Sequence, residues 1–133
     1  MSTLKVNTVQ HNTTGFNNVV QFQDGGGTVN GHLARTWVNF NGVGTVATRA
    51  DFNVNSITDL ALGNYTVNFD NALSDVNYAA VITSYYAAVA NQAGYIPFED
   101  GRLTARTSSS FTLACATTAA YNDSAYISVI IHR

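Results

Sequence analysis

Charge is the scarcest commodity in this sequence. Six Lys and Arg stand against eight Asp and Glu, 11% of 133 residues, for a formal net charge of −2. The usual charged share is about 25%. A nucleic-acid binder held by phosphate contacts needs a dense Lys/Arg patch, so no nucleic-acid partner is expected. The single cysteine, Cys115, excludes an internal disulfide. No run of about 18 apolar residues occurs, so no membrane insertion is expected. The opening Met1 to Asn7 lacks the apolar core of a secretory signal. Glu and Lys, two strong helix formers, occur once each, as Glu99 and Lys5.

What is present is apolar and β-forming. Hydrophobic residues make up 46% of the chain, with seven Phe and seven Tyr, which is enough for a packed core and excludes a disordered acidic chain. The polar residues are mainly Asn and Thr. Thr, Val, Tyr and Phe favour strands, while Asn and Gly favour turns. An all-β fold with a neutral, amide- and hydroxyl-rich surface follows, one whose contacts depend little on screened Coulomb attraction.

The pattern along the chain has three parts. Residues 1–23 hold a short alternating strand at 2–10 and an apolar patch, Val19 to Phe22. They are too few to bury a core of their own and read as an N-terminal attachment arm. Leu4, Val6, Val9, Val20 and Phe22 are its anchoring side chains. Asp24-Gly25-Gly26-Gly27 opens a Gly-rich linker over 24–33, since three successive glycines lose much entropy inside an element. No GK[ST] follows, so it is no phosphate cradle. Residues 34–133 show short alternating strands separated by Gly and Asn turns: Thr36–Phe40, Thr45–Arg49, Phe52–Ile57, Tyr65–Phe69, Tyr78–Tyr86, Ser110–Ala116 and Ala125–His132. That spacing predicts an antiparallel, jelly-roll-like β-sandwich. Tyr78–Tyr86 is apolar on both faces and is expected to be central and buried. Residues 87–101, with the only proline, Pro97, read as irregular.

Ala34 to Arg49 (ARTWVNFNGVGTVATR), continued by Phe52 to Asp59 and Gly63 to Phe69, resembles a block of tail-fibre and other virion appendage proteins of tailed bacteriophages, cyanophages and marine phages especially. The opening Ser2 to Gln10 is similar to the attachment strand of such proteins, and the ending Ser128 to Ile131 is similar too. The resemblance implies a virion structural protein, usually trimeric, on the surface of a phage particle. It transfers no catalytic site, because the shared residues are architectural.

Candidate chemistry is sparse. Tyr85, Tyr86 and Tyr95 bracket a loop of small residues. Adjacent tyrosines at a strand end cannot both point inward, so one should be exposed, and a loop of small residues ending in another Tyr has the composition of a ligand- or receptor-binding loop. The competing reading packs them under the loop or between subunits. Trp37 is either a sugar-stacking platform or, as the architectural block favours, filler of a core or a subunit interface. Glu99 and Asp100, neighbours in an extended segment, should point to opposite faces. Asp51, Asp59, Asp70 and Asp75 sit at expected turns, so no catalytic pair is assigned. His11, His32 and His132 are isolated, and metal binding would need three copies to gather one on a threefold axis. Cys115 reads as a buried, inert thiol. No cofactor or metal is expected.

The sequence thus points to a homotrimeric module that docks on other phage virion proteins through residues 1–23. It would display its sandwich to the host surface, with glycans as the favoured target. A capsid-decoration, head-fibre or collar protein is the alternative, and a glycan-cleaving enzyme ranks last. A chain begun at Gly27 should fold, read by circular dichroism, yet fail to join the particle; full incorporation would count against this division.

Overall fold

The computed structural model describes residues 19–24, 27–85, 96–100, 106–117 and 120–133. Contacts divide the chain into two compact units, Met1–Leu33 and Ala34–Arg133. In the first, β1 (Val19–Asp24) pairs antiparallel with β2 (Gly27–His32), from Val19 opposite His32 to Asp24 opposite Gly27. Gly25 and Gly26 lie outside the described residues. The stretch expected as a 24–33 linker holds a six-residue strand. Glycine's entropy cost weakens a strand without forbidding one, and Gly27 and Gly31 both take part in the pairing. A truncation that respects this pairing begins at Ala34, because a cut at Gly27 strips β2 of its partner. Val20 and Phe22 lie in β1; Leu4, Val6 and Val9 lie outside the described residues.

The second unit is all-β, with no helix among the described residues. Its strands are β3 (Ala34–Asn41), β4 (Ala47–Phe52), β5 (Val54–Ala61), β6 (Asn64–Phe69), β7 (Ala79–Tyr85), β8 (Ile96–Glu99), β9 (Ser110–Ala116) and β10 (Tyr126–His132). They form two four-stranded sheets, in the orders β4-β3-β10-β7 and β5-β6-β9-β8, and every pairing is antiparallel. Three neighbouring pairs, β3-β4, β5-β6 and β8-β9, are local hairpins kept within one sheet. The core between the sheets follows from period-two alternation. Val38 and Phe40, with Ile127, Val129 and Ile131, come from the first sheet; Tyr65, Val67 and Phe69, with Phe111, Leu113 and Cys115, come from the second. Aromatic rings meet edge to face across it: Phe40 and Tyr65 at 5.3 Å, Tyr78 and Phe111 at 6.2 Å.

Two corners tie the sheets together. Asn53, between β4 and β5, has φ 59°. Asn tolerates this left-handed conformation better than most residues. Its Nδ2 donates to Thr36 Oγ1 (3.0 Å) and Asn71 O (3.1 Å), and its Oδ1 accepts from the Asn71 N–H at 2.8 Å. At the other end Tyr65 Oη lies 3.0 Å from Gly42 O and donates to Asp123 Oδ1 at 2.7 Å, and the same carboxylate oxygen accepts the Gly63 N–H at 2.8 Å. Burial, with the Asp123 carboxylate beside it, holds the Tyr65 phenol far above its ordinary pKa.

Three expectations are corrected here. β7 is an edge strand with no fully buried residue, since half of its apolar side chains belong to the outer face of the sheet. Pro97 lies in edge strand β8, where a missing N–H costs no ladder bond on the open side. Asp51 and Asp59 sit within edge strands β4 and β5 rather than at turns.

Two measurements probe this packing. Gly63 has φ +71°, and a Cβ there would meet Cys115 O at 2.5 Å and Asn122 N at 2.8 Å, both backbone atoms. Gly63→Ala should lower unfolding free energy by about 1–3 kcal/mol in urea melts, the range for strain at a special backbone position. Burial, with Asp123 adding to it and Ser84 opposing, pushes the Cys115 thiol up to about 11 from 9.0. Burial likewise pushes Tyr78 up to about 12 from 10.0. Both stay protonated in the folded protein while the unfolded chain ionises, so their stabilisation is complete below pH 9 and is lost as pH rises to about 11 and 12. Cys115→Ala should flatten the decline between pH 9 and 11 in denaturant titrations; an unchanged slope would assign that decline to other groups.

Candidate functional site

The outer face of the first sheet carries the most unusual surface among the described residues. Alternation that sends Thr36, Val38 and Phe40 inward sends Arg35, Trp37 and Asn39 outward. The register then aligns four large apolar side chains in one row across all four strands. Phe52 lies opposite Trp37, Trp37 opposite Ile130, and Ile130 opposite Val81. They remain 55%, 38%, 40% and 54% exposed. Scattered exposed hydrophobics are ordinary, but a contiguous patch marks an interaction surface. A polar row runs beside it, where Asn39 Nδ2 donates to Ser128 Oγ at 2.8 Å.

An aromatic cluster forms the end of this face. Tyr85 and Tyr126 are direct cross-strand partners with ring centroids 6.1 Å apart. Arg49 is the extra residue where the β3-β4 register shifts, between Thr48 opposite Phe40 and Ala50 opposite Asn39. Such a bulge re-aims its side chain. The Arg49 guanidinium sits 4.1 Å from the Tyr126 ring centroid and donates to Ala125 O at 2.7 Å. An exposed cation–π contact of this kind contributes about 0.5–1 kcal/mol, enough to favour this position of the ring. The arrangement can stack a planar or ring-shaped ligand on Tyr85 and offer hydrogen bonds from the Tyr85 hydroxyl and Arg49.

Of the three tyrosines singled out in sequence, Tyr85 is 62% exposed and on this face; Tyr86 and Tyr95 lie outside the described residues. Arg49 and Tyr126 were missed. Tyr126 carries a signal, since it opens the alternating strand whose partners Ile127, Val129 and Ile131 point inward. Arg49 carries none, because a bulge shifts the side-chain alternation. Trp37 is outside the core, at the centre of the apolar row. The carboxylates have other partners: Glu99 forms an ion pair with Arg106, whose Nε lies 2.5 Å from Glu99 Oε1, and Asp75 pairs with Arg133 and accepts the Asn77 N–H at 2.7 Å. Asp123, not singled out in sequence, is the carboxylate that does most for the fold. Among the described residues no three His, Cys, Asp or Glu are grouped to hold a metal ion.

No family model, curated protein or solved structure matches the chain.

Tyr85→Ala and Tyr126→Ala should each change stability by less than about 1 kcal/mol, as exposed truncations do. Arg49→Ala should free the Tyr126 ring, seen as sharpened, random-coil-like aromatic NMR signals.

Proposed function

We propose that the protein is a structural module of a bacteriophage particle. Residues 1–23 anchor it to other virion proteins, and three copies of the second unit form a head facing the host surface. The likeness of residues 34–69 to phage appendage proteins supports the virion setting. These residues supply β3 to β6, and Val38, Phe40, Tyr65, Val67 and Phe69 within them are core, in keeping with an architectural block.

The observation that carries the reading is the exposed row Phe52–Trp37–Ile130–Val81. Its four side chains are uncharged and lie in register across the whole sheet, and a second copy of the chain, equally poor in charge, is a suitable cover for it. Assembly about a threefold axis buries the row and repeats the Tyr85–Tyr126–Arg49 cluster three times. Repetition on one rigid head turns a weak contact into firm attachment. Aromatic faces, amides and hydroxyls suit a glycan target.

Trp37 is the only tryptophan and lies in the row, so it reports assembly directly. Light scattering should give three times the chain mass, and dilution should red-shift Trp37 emission as the row meets water. Trp37→Ser should yield a folded monomer. A monomeric wild-type chain at high concentration would defeat the assembly. For the particle, deletion should abolish adsorption and leave virions intact. Intact adsorption with heat-fragile particles would instead place the protein among capsid decorations.

A further inference from the structure

The outer face of the second sheet differs in kind from that of the first. Asn64, Thr66 and Asn68 of β6 point outward from it, beside Ser110 and Thr112 of β9. A depression of about 570 Å³ opens there, lined by Leu60, Ala61, Asn64, Thr66, Thr107, Ser110 and Thr112. None of these residues can ionise at neutral pH. Thr66 and Thr112 hydroxyls are 2.9 Å apart, and those of Thr107 and Ser110 are 2.8 Å apart. Each pair shares one hydrogen; the Thr66–Thr112 pair keeps a second hydrogen and spare lone pairs for another molecule, while Thr107 Oγ1 also accepts the Ser109 N–H at 3.1 Å and lies 3.2 Å from Ser109 Oγ, which leaves Ser110 the freer partner of the second pair. Leu60, 45% exposed, adds an apolar wall.

A second observation singles out the same place. Asn64 Oδ1 is buried and has no hydrogen-bond partner, the only such side-chain atom among the described residues. Buried acceptors are nearly always satisfied. This one needs a donor. Sulfate or a halide brings acceptors only, and the lining has no cationic side chain to hold a protonated phosphate. A cation would call for carboxylates, and the lining has none.

We propose that this depression is a binding site for a short uncharged saccharide, whose hydroxyls bridge the Thr66–Thr112 and Thr107–Ser110 pairs while one donates to Asn64 Oδ1 after the Asn64 amide turns toward the depression. The sugar's C–H face packs on Leu60. The volume falls in the usual range for small-ligand sites, about 300–1,000 Å³. The inference rests on the lining of the second sheet and not on the virion reading, whose tyrosine cluster lies on the first.

Amide-resolved NMR of the full chain, titrated with maltotriose, cellotriose and chitotriose, tests it, with glucuronate and glucose 1-phosphate as charged comparisons. At least one neutral trisaccharide should give saturable shifts at Asn64, Thr66, Ser110 and Thr112, and the charged sugars should bind more weakly. Thr66→Val and Thr112→Val keep side-chain shape while removing the hydroxyls, and each should weaken binding about 10-fold. If Thr112→Val fails to fold, Leu60→Asp at the exposed rim carries the same expectation. Tyr85→Ala should leave this binding unchanged. Saturation by none of the three trisaccharides, shifts confined to Tyr85 and Tyr126, tighter binding of the charged sugars, or indifference to the variants would each overturn the proposal. Loss of the virion role with these shifts intact would leave it standing.

Discussion

The buried hydroxyl of Tyr65 is the contact on which the second unit turns. A phenol in the core must find partners, because an unpaired polar group there costs about 1–3 kcal/mol. It finds Gly42 O, just after β3, and the Asp123 carboxylate, just before β10. Through the Gly63 N–H, Asp123 also holds the turn between β5 and β6. Three connections at one end of the two sheets are thereby fixed. Gly42 is part of the same constraint, since any Cβ there would overlap the Tyr65 hydroxyl.

Fixing that end fixes the register, and the register decides the surfaces. With Phe40 packed edge to face on Tyr65, β3 has no freedom to slip by one residue. A one-residue slip would send Val38 and Phe40 to solvent and Trp37 into the core. Asn53 repeats the restraint at the other corner, where its side chain holds Thr36 of β3 and Asn71 after β6. Between these corners every inward residue has an obligatory outward neighbour. The two outer faces therefore inherit different chemistry from alternate positions: large apolar and aromatic side chains on the first sheet, hydroxyls and amides on the second.

Ion pairs have a small part in this. The ion pairs Arg106–Glu99 and Arg133–Asp75 are partly exposed, and such pairs contribute little to stability. Arg106 matters more for geometry than for charge, since its Nη1 also donates to Tyr78 O at 2.6 Å and its guanidinium sits 5.1 Å from the Tyr78 ring. Apolar burial and hydrogen bonds, those to the Asp123 carboxylate included, carry the fold and define its surfaces.

Much was legible in the residues themselves. The near absence of Glu and Lys, the abundance of Thr, Val, Tyr and Phe, and alternation at Thr36–Phe40, Tyr65–Phe69 and Ile127–Ile131 determined an all-β chain and most of its core, because period-two burial is a local property. The glycine run was readable as a break, but whether it joined two strands or separated two parts depended on pairing between β1 and β2. The edge position of β7 was hidden, since an apolar strand looks the same whether its outer face meets another layer or solvent. The row from Phe52 to Val81 draws on four strands up to 93 residues apart in number (Trp37 to Ile130), and the Arg49–Tyr126 contact depends on a bulge. Only tertiary structure decided these, because strand order and register are set by contacts between distant segments and not by the alternation within any one of them.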